Sequence, residues 1–160
     1  MKVRSAGILL YRRSADAELE FWIAHMGGPF WERKDTHAWS IPKGEYLEGE
    51  DPLVAAKREF AEEMGVAAPA LPYLDLGVFR QPSGKLISVF AAESDFNPER
   101  IESNTFDLEW PKGSGALRSF PEIDDAQWVA EPEARIKLVK GQVPILDALI
   151  REVGNEVESP

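Results

Sequence analysis

Apolar residues fall into short blocks with two different periods, and the blocks predict strands alternating with helices. Residues 3–11 and 20–25 have the character of strands. The polar stretch 14–18 joins them, giving a hairpin with a loop longer than the tightest types. Residues 26–38 are irregular and hold Gly27, Gly28 and Trp31. Trp39, Ser40 and Ile41 form a short apolar patch that ends at Pro42. After a loop at 44–49 comes the clearest helix of the chain, Pro52–Met64. Asp51 is placed to cap it, and Pro52 suits its first turn because the missing amide hydrogen would have had no partner. Gly65 supplies the stop. Leu53, Ala56, Phe60 and Met64 recur at spacings of three and four and predict the buried stripe.

Residues 73–79 and 86–92 predict two more strands around a Pro82-Ser83-Gly84 turn. Residues 94–105 are polar and irregular, 106–110 a short strand, 111–118 a loop and 125–129 a last strand. A short helix is expected at 132–138. A longer one is expected at 143–153, with Leu146, Leu149, Ile150 and Val153 on one face. The order of elements predicts an α/β fold, a mixed sheet with helices on both faces. It also predicts one domain over residues 1–154 and a frayed tail over 155–160.

Composition narrows the chemistry. The chain has 160 residues, 44% of them apolar, which is enough for one core without disulfides. It has no cysteine, so thiol catalysis and thiolate zinc sites are excluded. Against 18 Lys and Arg stand 28 acids, a net charge of −10 that disfavours extended nucleic acid. A small phosphorylated ligand stays compatible, because cations reverse such a field locally. No apolar run reaches bilayer length, and a soluble, cytoplasmic protein is expected, monomeric or homodimeric.

One pattern works against stability. Glu59, Glu62 and Glu63 lie on adjoining parts of one helix face, outside the expected apolar stripe. They repel one another, and they occupy the half of the helix whose dipole disfavours negative charge. A hard divalent cation would offset both costs. A solvated acidic face softened by Lys57 and Arg58 is the plain alternative. Just ahead, Lys43 and Gly44 form a tight turn whose backbone can approach an ion or phosphate. Glu50 is spaced to pair with Arg58, whose guanidinium fork can hold carboxylates in place.

These residues closely resemble the signature of the Nudix hydrolases, G-x5-E-x7-R-E-U-x-E-E-x-G-U, where U is apolar. Residues 44–66 read GEYLEGEDPLVAAKREFAEEMGV. Gly44, Glu50, Arg58, Glu59, Glu62, Glu63 and Gly65 fill every fixed position, and Phe60 and Val66 the apolar ones. By average composition such a match arises by chance about once in 10⁸ placements, so coincidence is not the explanation.

The resemblance implies an α/β/α sandwich around a mixed sheet. It implies cleavage of nucleoside diphosphates linked to another moiety, with Mg²⁺ or Mn²⁺. It makes Glu59, Glu62 and Glu63 the metal ligands, joined by the Lys43 backbone carbonyl, with Glu50 and Arg58 in support. A further acid is expected from a late loop. Glu122 is the leading candidate there, with Asp124 and Asp125 as rivals.

The lead-in Trp39-Ser40-Ile41-Pro42-Lys43-Gly44 resembles the W-x-(L/I)-P-K-G of diadenosine polyphosphate hydrolases and related nucleotide pyrophosphatases. Dinucleoside polyphosphates or nucleoside triphosphates are therefore the favoured substrates. ADP-ribose, nucleotide sugars, diphosphoinositols or a non-catalytic nucleotide-binding module are the alternatives. His25, Arg33, Lys34 and His37 are expected to add positive charge near the phosphates. Lys43 and Gly44 are expected to contact them, and Trp31 to stack on a base. Trp39 suits either stacking or the core. Residues 94–119, with Phe106, Trp110, Lys112 and Arg118, are expected to form a lid or a dimer contact.

Overall fold

The computed structural model describes the backbone of residues 4–158 and the side chains of residues 4–154. Val3, at the start of the first expected strand, lies outside the described residues, as do the side chains of the tail expected at 155–160. Strands β1 (Arg4–Arg13) and β2 (Leu19–Met26) form the expected hairpin, but pair only from Tyr11–Phe21 to Arg13–Leu19. Beyond that they splay apart. The two-residue β3 (Trp39–Ser40) pairs with β2 at Ala24 and His25, and β4 (Lys43–Glu45) pairs with β1 at Ser5, Ala6 and Gly7.

After α1 (Pro52–Met64), β5 (Leu74–Arg80) and β6 (Leu86–Glu93) form an antiparallel pair, and β6 runs parallel along β1. Strand β9 (Ile123–Ala130) takes the outer edge of β2. With β6 on one edge of β1 and β9 on one edge of β2, the β3–β4 corner sits in the fork between β1 and β2. The result is a seven-stranded mixed sheet.

Alternation along the strands assigns the two faces. Ala6, Ile8 and Leu10 of β1 and Trp22 and Ala24 of β2 meet α1. Leu9, Phe21 and Ile23 face the opposite layer, formed by α2 (Glu131–Lys137) and α3 (Val143–Glu158). The architecture is therefore the expected α/β/α sandwich. The ends of α1 are as expected: the Val54 amide donates to Asp51 Oδ2 at 3.0 Å, and Gly65 closes the helix at φ 76°. No helix among the described residues is long and apolar enough to cross a membrane.

Besides β4, which takes the first residues of the loop expected at 44–49 because they pair with β1, two features depart from the sequence pattern. The loop expected at 111–118 ends in a strand, β8 (Leu117–Pro121), which pairs with β7 (Thr105–Glu109) as a separate two-stranded sheet. This hairpin lies off the main core, so no buried face imposes an alternation on β8. Only Phe120, against Phe106 at 6.0 Å between ring centroids, is partly buried there. The second departure is on α1, whose buried residues include Glu59 and Glu63 as well as Ala56, Phe60 and Met64.

Candidate active site

Helix α1 carries the three glutamates on the side covered by β4. The sequence places them outside the buried stripe, yet Glu59 and Glu63 are each only 9% exposed, while Glu62 stays half-exposed. The cause is the β3–β4 corner, which crosses above the second half of the helix. The Lys43 amide donates to Glu63 Oε1 at 3.1 Å. Gly44 lies so close to Glu59 that a Cβ there would overlap its carboxylate. A larger residue at position 44 would have to displace the Glu59 carboxylate beneath it.

Burial dominates the electrostatics. It pushes the Glu63 carboxyl up to about 8, aided by the charges of Glu122 and Glu59 and opposed by the amide and charge of Lys43. Glu59 is also raised, by burial and then by Glu62, against the pull of Arg58. Arg58 stands among the carboxylates. Its Nη1 lies 2.8 Å from Glu59 Oε1 and 3.5 Å from Glu62 Oε1. Its Nη2 and Nε donate to the two oxygens of Glu50 at 3.1 and 3.3 Å. The expected Glu50–Arg58 pair is therefore present, two-pronged as a guanidinium fork allows.

Glu122 occupies the single residue between β8 and β9. Its amide donates to the Asn104 carbonyl at 2.9 Å and its carbonyl accepts from the Gly27 amide at 2.8 Å. The Asn104 amide in turn donates to the Glu62 carbonyl at 2.8 Å, which ties this loop to α1. The Glu122 carboxyl is raised by burial and by the charge of Glu62, so it belongs electrostatically to the same group. Its rivals are engaged elsewhere: Asp124 Oδ1 is 2.7 Å from His25 Nδ1, and Asp125 binds the Ala126 amide and Gln127. Asn104 and Gly27 are parts of the site that sequence reasoning missed. The paired glycines at 27 and 28 were the available signal, since a Cβ on Gly27 would overlap the Pro121 carbonyl.

A NUDIX domain model matches residues 1–149 of the chain. The chain belongs to the Nudix family. It is accordingly a pyrophosphohydrolase, an enzyme acting on acid anhydrides. Solved structures share the fold at low identity. A C. elegans Ap4A hydrolase in a binary complex matches with TM-score 0.64 and 22% identity, over 96% of this chain and 98% of that one. The NUDIX domain of Shewanella oneidensis NrtR, complexed with ADP ribose, matches with TM-score 0.67 and 14% identity, over 96% and 89%. RenU, a Nudix hydrolase of M. smegmatis, gives 0.58 and 20%, over 98% and 88%.

The donor set of this Nudix site suits a hard divalent ion, because the Glu59, Glu62 and Glu63 carboxylates offer hard oxygen ligands beside the Arg58 guanidinium and the Lys43 amide. The family is typically Mg²⁺-dependent. As placed, no three His, Asp or Glu side chains among the described residues stand close enough to hold an ion together. The Arg58 guanidinium instead supplies the positive charge between Glu59 and Glu62. The raised Glu63 carboxyl and the Gly44 cradle over Glu59 are the observations that fit a bound cation.

Of the residues expected on the substrate side, His25, Arg33 and Lys34 line one cleft with Trp39, whereas His37 and Trp31 do not line it. His25 is buried, with one ring nitrogen at Asp124 and the other 2.6 Å from the Lys34 carbonyl. His37 Nδ1 donates to the Leu138 carbonyl at 2.7 Å, which ties it to the end of α2. Trp39 is a core residue, and its indole N–H bonds Asp35 at 2.9 Å. Trp31 packs partly buried at the rim of the core, edge-on to Phe30. Arg33 and Lys34 are exposed and line a shallow cleft of about 330 Å³ with Asp124 and Asp125. Among the described residues no hydrogen bond or ion pair joins His37, Arg33 or Trp31 to the glutamates.

Proposed function

We propose that this Nudix enzyme hydrolyses the phosphoanhydride bond of a nucleoside diphosphate-linked substrate with Mg²⁺, or Mn²⁺ in its place. Dinucleoside polyphosphates or nucleoside triphosphates are the favoured substrates. The observation that carries the reading is the burial of Glu59 and Glu63 beneath Lys43 and Gly44. Buried carboxylates are costly unless something compensates them, and Arg58 contacts Glu59 and Glu62 but makes no ion pair with Glu63.

In this reading Glu59, Glu62, Glu63, Glu122 and the Lys43 carbonyl hold the cation. The ion would neutralise phosphate charge and lower the pKa of a bound water. Arg58, held by Glu50, keeps Glu59 and Glu62 in position. One carboxylate among Glu59, Glu62 and Glu122 takes the proton from the attacking water. Water attacks one phosphorus in line, the anhydride P–O bond breaks, and no covalent enzyme intermediate forms.

The motif Trp39-Ser40-Ile41-Pro42-Lys43-Gly44 supports the dinucleotide preference, and the exposed Arg33 and Lys34 are the cations at hand for distal phosphates. The test is phosphate release in a coupled assay, with and without Mg²⁺. The panel holds dinucleoside polyphosphates, nucleoside triphosphates, ADP-ribose, nucleotide sugars and diphosphoinositols. Fastest Mg²⁺-dependent turnover of the first two classes is expected. Turnover of ADP-ribose alone would replace the substrate assignment, and none at all would favour a binding module.

A further inference from the structure

At the fork between β1 and β2 the chain must leave one strand partner and join another. Ser40 still pairs with Ala24 of β2, and Lys43 already pairs with Gly7 of β1. Pro42 has no amide hydrogen, and its carbonyl accepts from the Ile8 amide at 3.0 Å. Ile41 lies between, fully buried. Its amide finds no strand partner, and a buried N–H left unpaired is rare and costly.

The missing acceptor comes from far along the chain. Gln142, 0% exposed, sits at the end of the 3-10 turn Lys140–Gln142 that leads into α3. Its Oε1 accepts from the Ile41 amide at 2.9 Å, and its Nε2 donates to Ser40 Oγ at 2.9 Å. One amide group thus replaces a piece of strand and holds both residues of the corner. The turn carrying it is itself fixed: a Cβ on Gly141 would press against Pro82 and Gln81, and Gln81 Nε2 reaches the Gly141 carbonyl at 3.4 Å.

Resting on the metal site proposed above, we infer that Gln142 is a positioning residue for that site. It acts through Ile41 and Pro42 on Lys43 and Gly44. In that reading the Lys43 carbonyl would join the cation, while the Lys43 amide donates to Glu63 and Gly44 roofs Glu59. On the other side β1 holds the same segment through its pairing with β4. The site is thereby braced from the opposite layer of the sandwich, by a residue that touches neither cation nor substrate.

The test uses the full chain and Mn²⁺ binding, followed by the electron paramagnetic resonance signal of free Mn²⁺, with a melting curve for each variant. Gln142→Met keeps the length and removes both hydrogen bonds. It is expected to weaken Mn²⁺ about tenfold, the scale of a lost supporting contact at a metal site. Leu149→Ala, in the same α3 layer, serves as the stability control and is expected to lower the melting temperature without moving Mn²⁺ affinity. Should Gln142→Met fail to fold, Ser40→Ala removes half of the clamp and is expected to give a smaller weakening in the same direction. Mn²⁺ affinity in the clamp variant equal to that of wild type or of Leu149→Ala would overturn the inference alone. A wild-type chain that binds no Mn²⁺ would overturn the metal site and the inference together.

Discussion

The two long helices cover opposite faces of one sheet and are built on opposite terms. Helix α3 buries Ile145, Leu146, Leu149 and Val153, all apolar. Helix α1 buries Ala55, Ala56, Phe60 and Met64 and, beside them, two glutamates. Each face closes a core of similar kind, yet among the described residues only α1 carries charge where the helix dipole and burial both oppose it. Stability alone accounts for α3. The proposed cation would account for the glutamates of α1, and on that reading the contrast separates the part of the molecule that holds the fold from the part that does chemistry.

Exchanging the roles of the two helices gives the largest effects. Glu63→Gln should lower Mg²⁺-dependent turnover at least about a hundredfold, beyond the usual range for residues that only support a ligand, while circular dichroism shows an intact fold. Glu62→Gln should behave alike, and near-normal turnover in both would end the assignment. On the other face, Leu149→Ala should cost about 2–5 kcal/mol in denaturant titration, the scale of a truncated buried leucine. Turnover per folded molecule should stay within about twofold, well short of the tenfold that 1.4 kcal/mol at the site would give. A large loss of specific activity there would blur the contrast. The smallest effect belongs to the local signal at the start of α1. Asp51→Ala removes the bond to the Val54 amide and should cost about 1 kcal/mol without changing metal affinity.

Much of this was legible in the chain because the causes are local. Asp51, Pro52 and Gly65 mark both ends of α1 within a few residues of the groups they serve. The unbroken apolar runs of β1 and β2 follow from each strand having a core on both faces. Strand β8 was hidden because its partner β7 gives it no such face. The burial of Glu59 and Glu63 was hidden for a different reason. It depends on β4 crossing over α1, a tertiary event that the helix period does not encode. Gln142 carries no sequence signal, since its partners lie 101 and 102 residues away. The Glu50–Arg58 pair was anticipated by spacing, and Glu122 was a candidate from the family resemblance alone, whereas Asn104 and Gly27 make their bonds through backbone atoms that any residue type supplies.

The central claim is that burying Glu63 costs stability until a cation arrives, and titration sets its sign. The folded carboxyl titrates near 8, above its ordinary value of 4.5, so between those values the folded state holds a proton that the unfolded state has lost. Without metal, stability should therefore fall as pH rises through that window, by an amount on the order of a few kcal/mol. The decisive measurement is thermal melting of wild type and Glu63→Gln above that window, at about pH 9, each in EDTA and in Mg²⁺. The expected result is that Glu63→Gln melts at or above wild type in EDTA, and that Mg²⁺ raises wild type alone. A Glu63→Gln protein that melts lower in EDTA, or that gains as much from Mg²⁺ as wild type does, would contradict the claim.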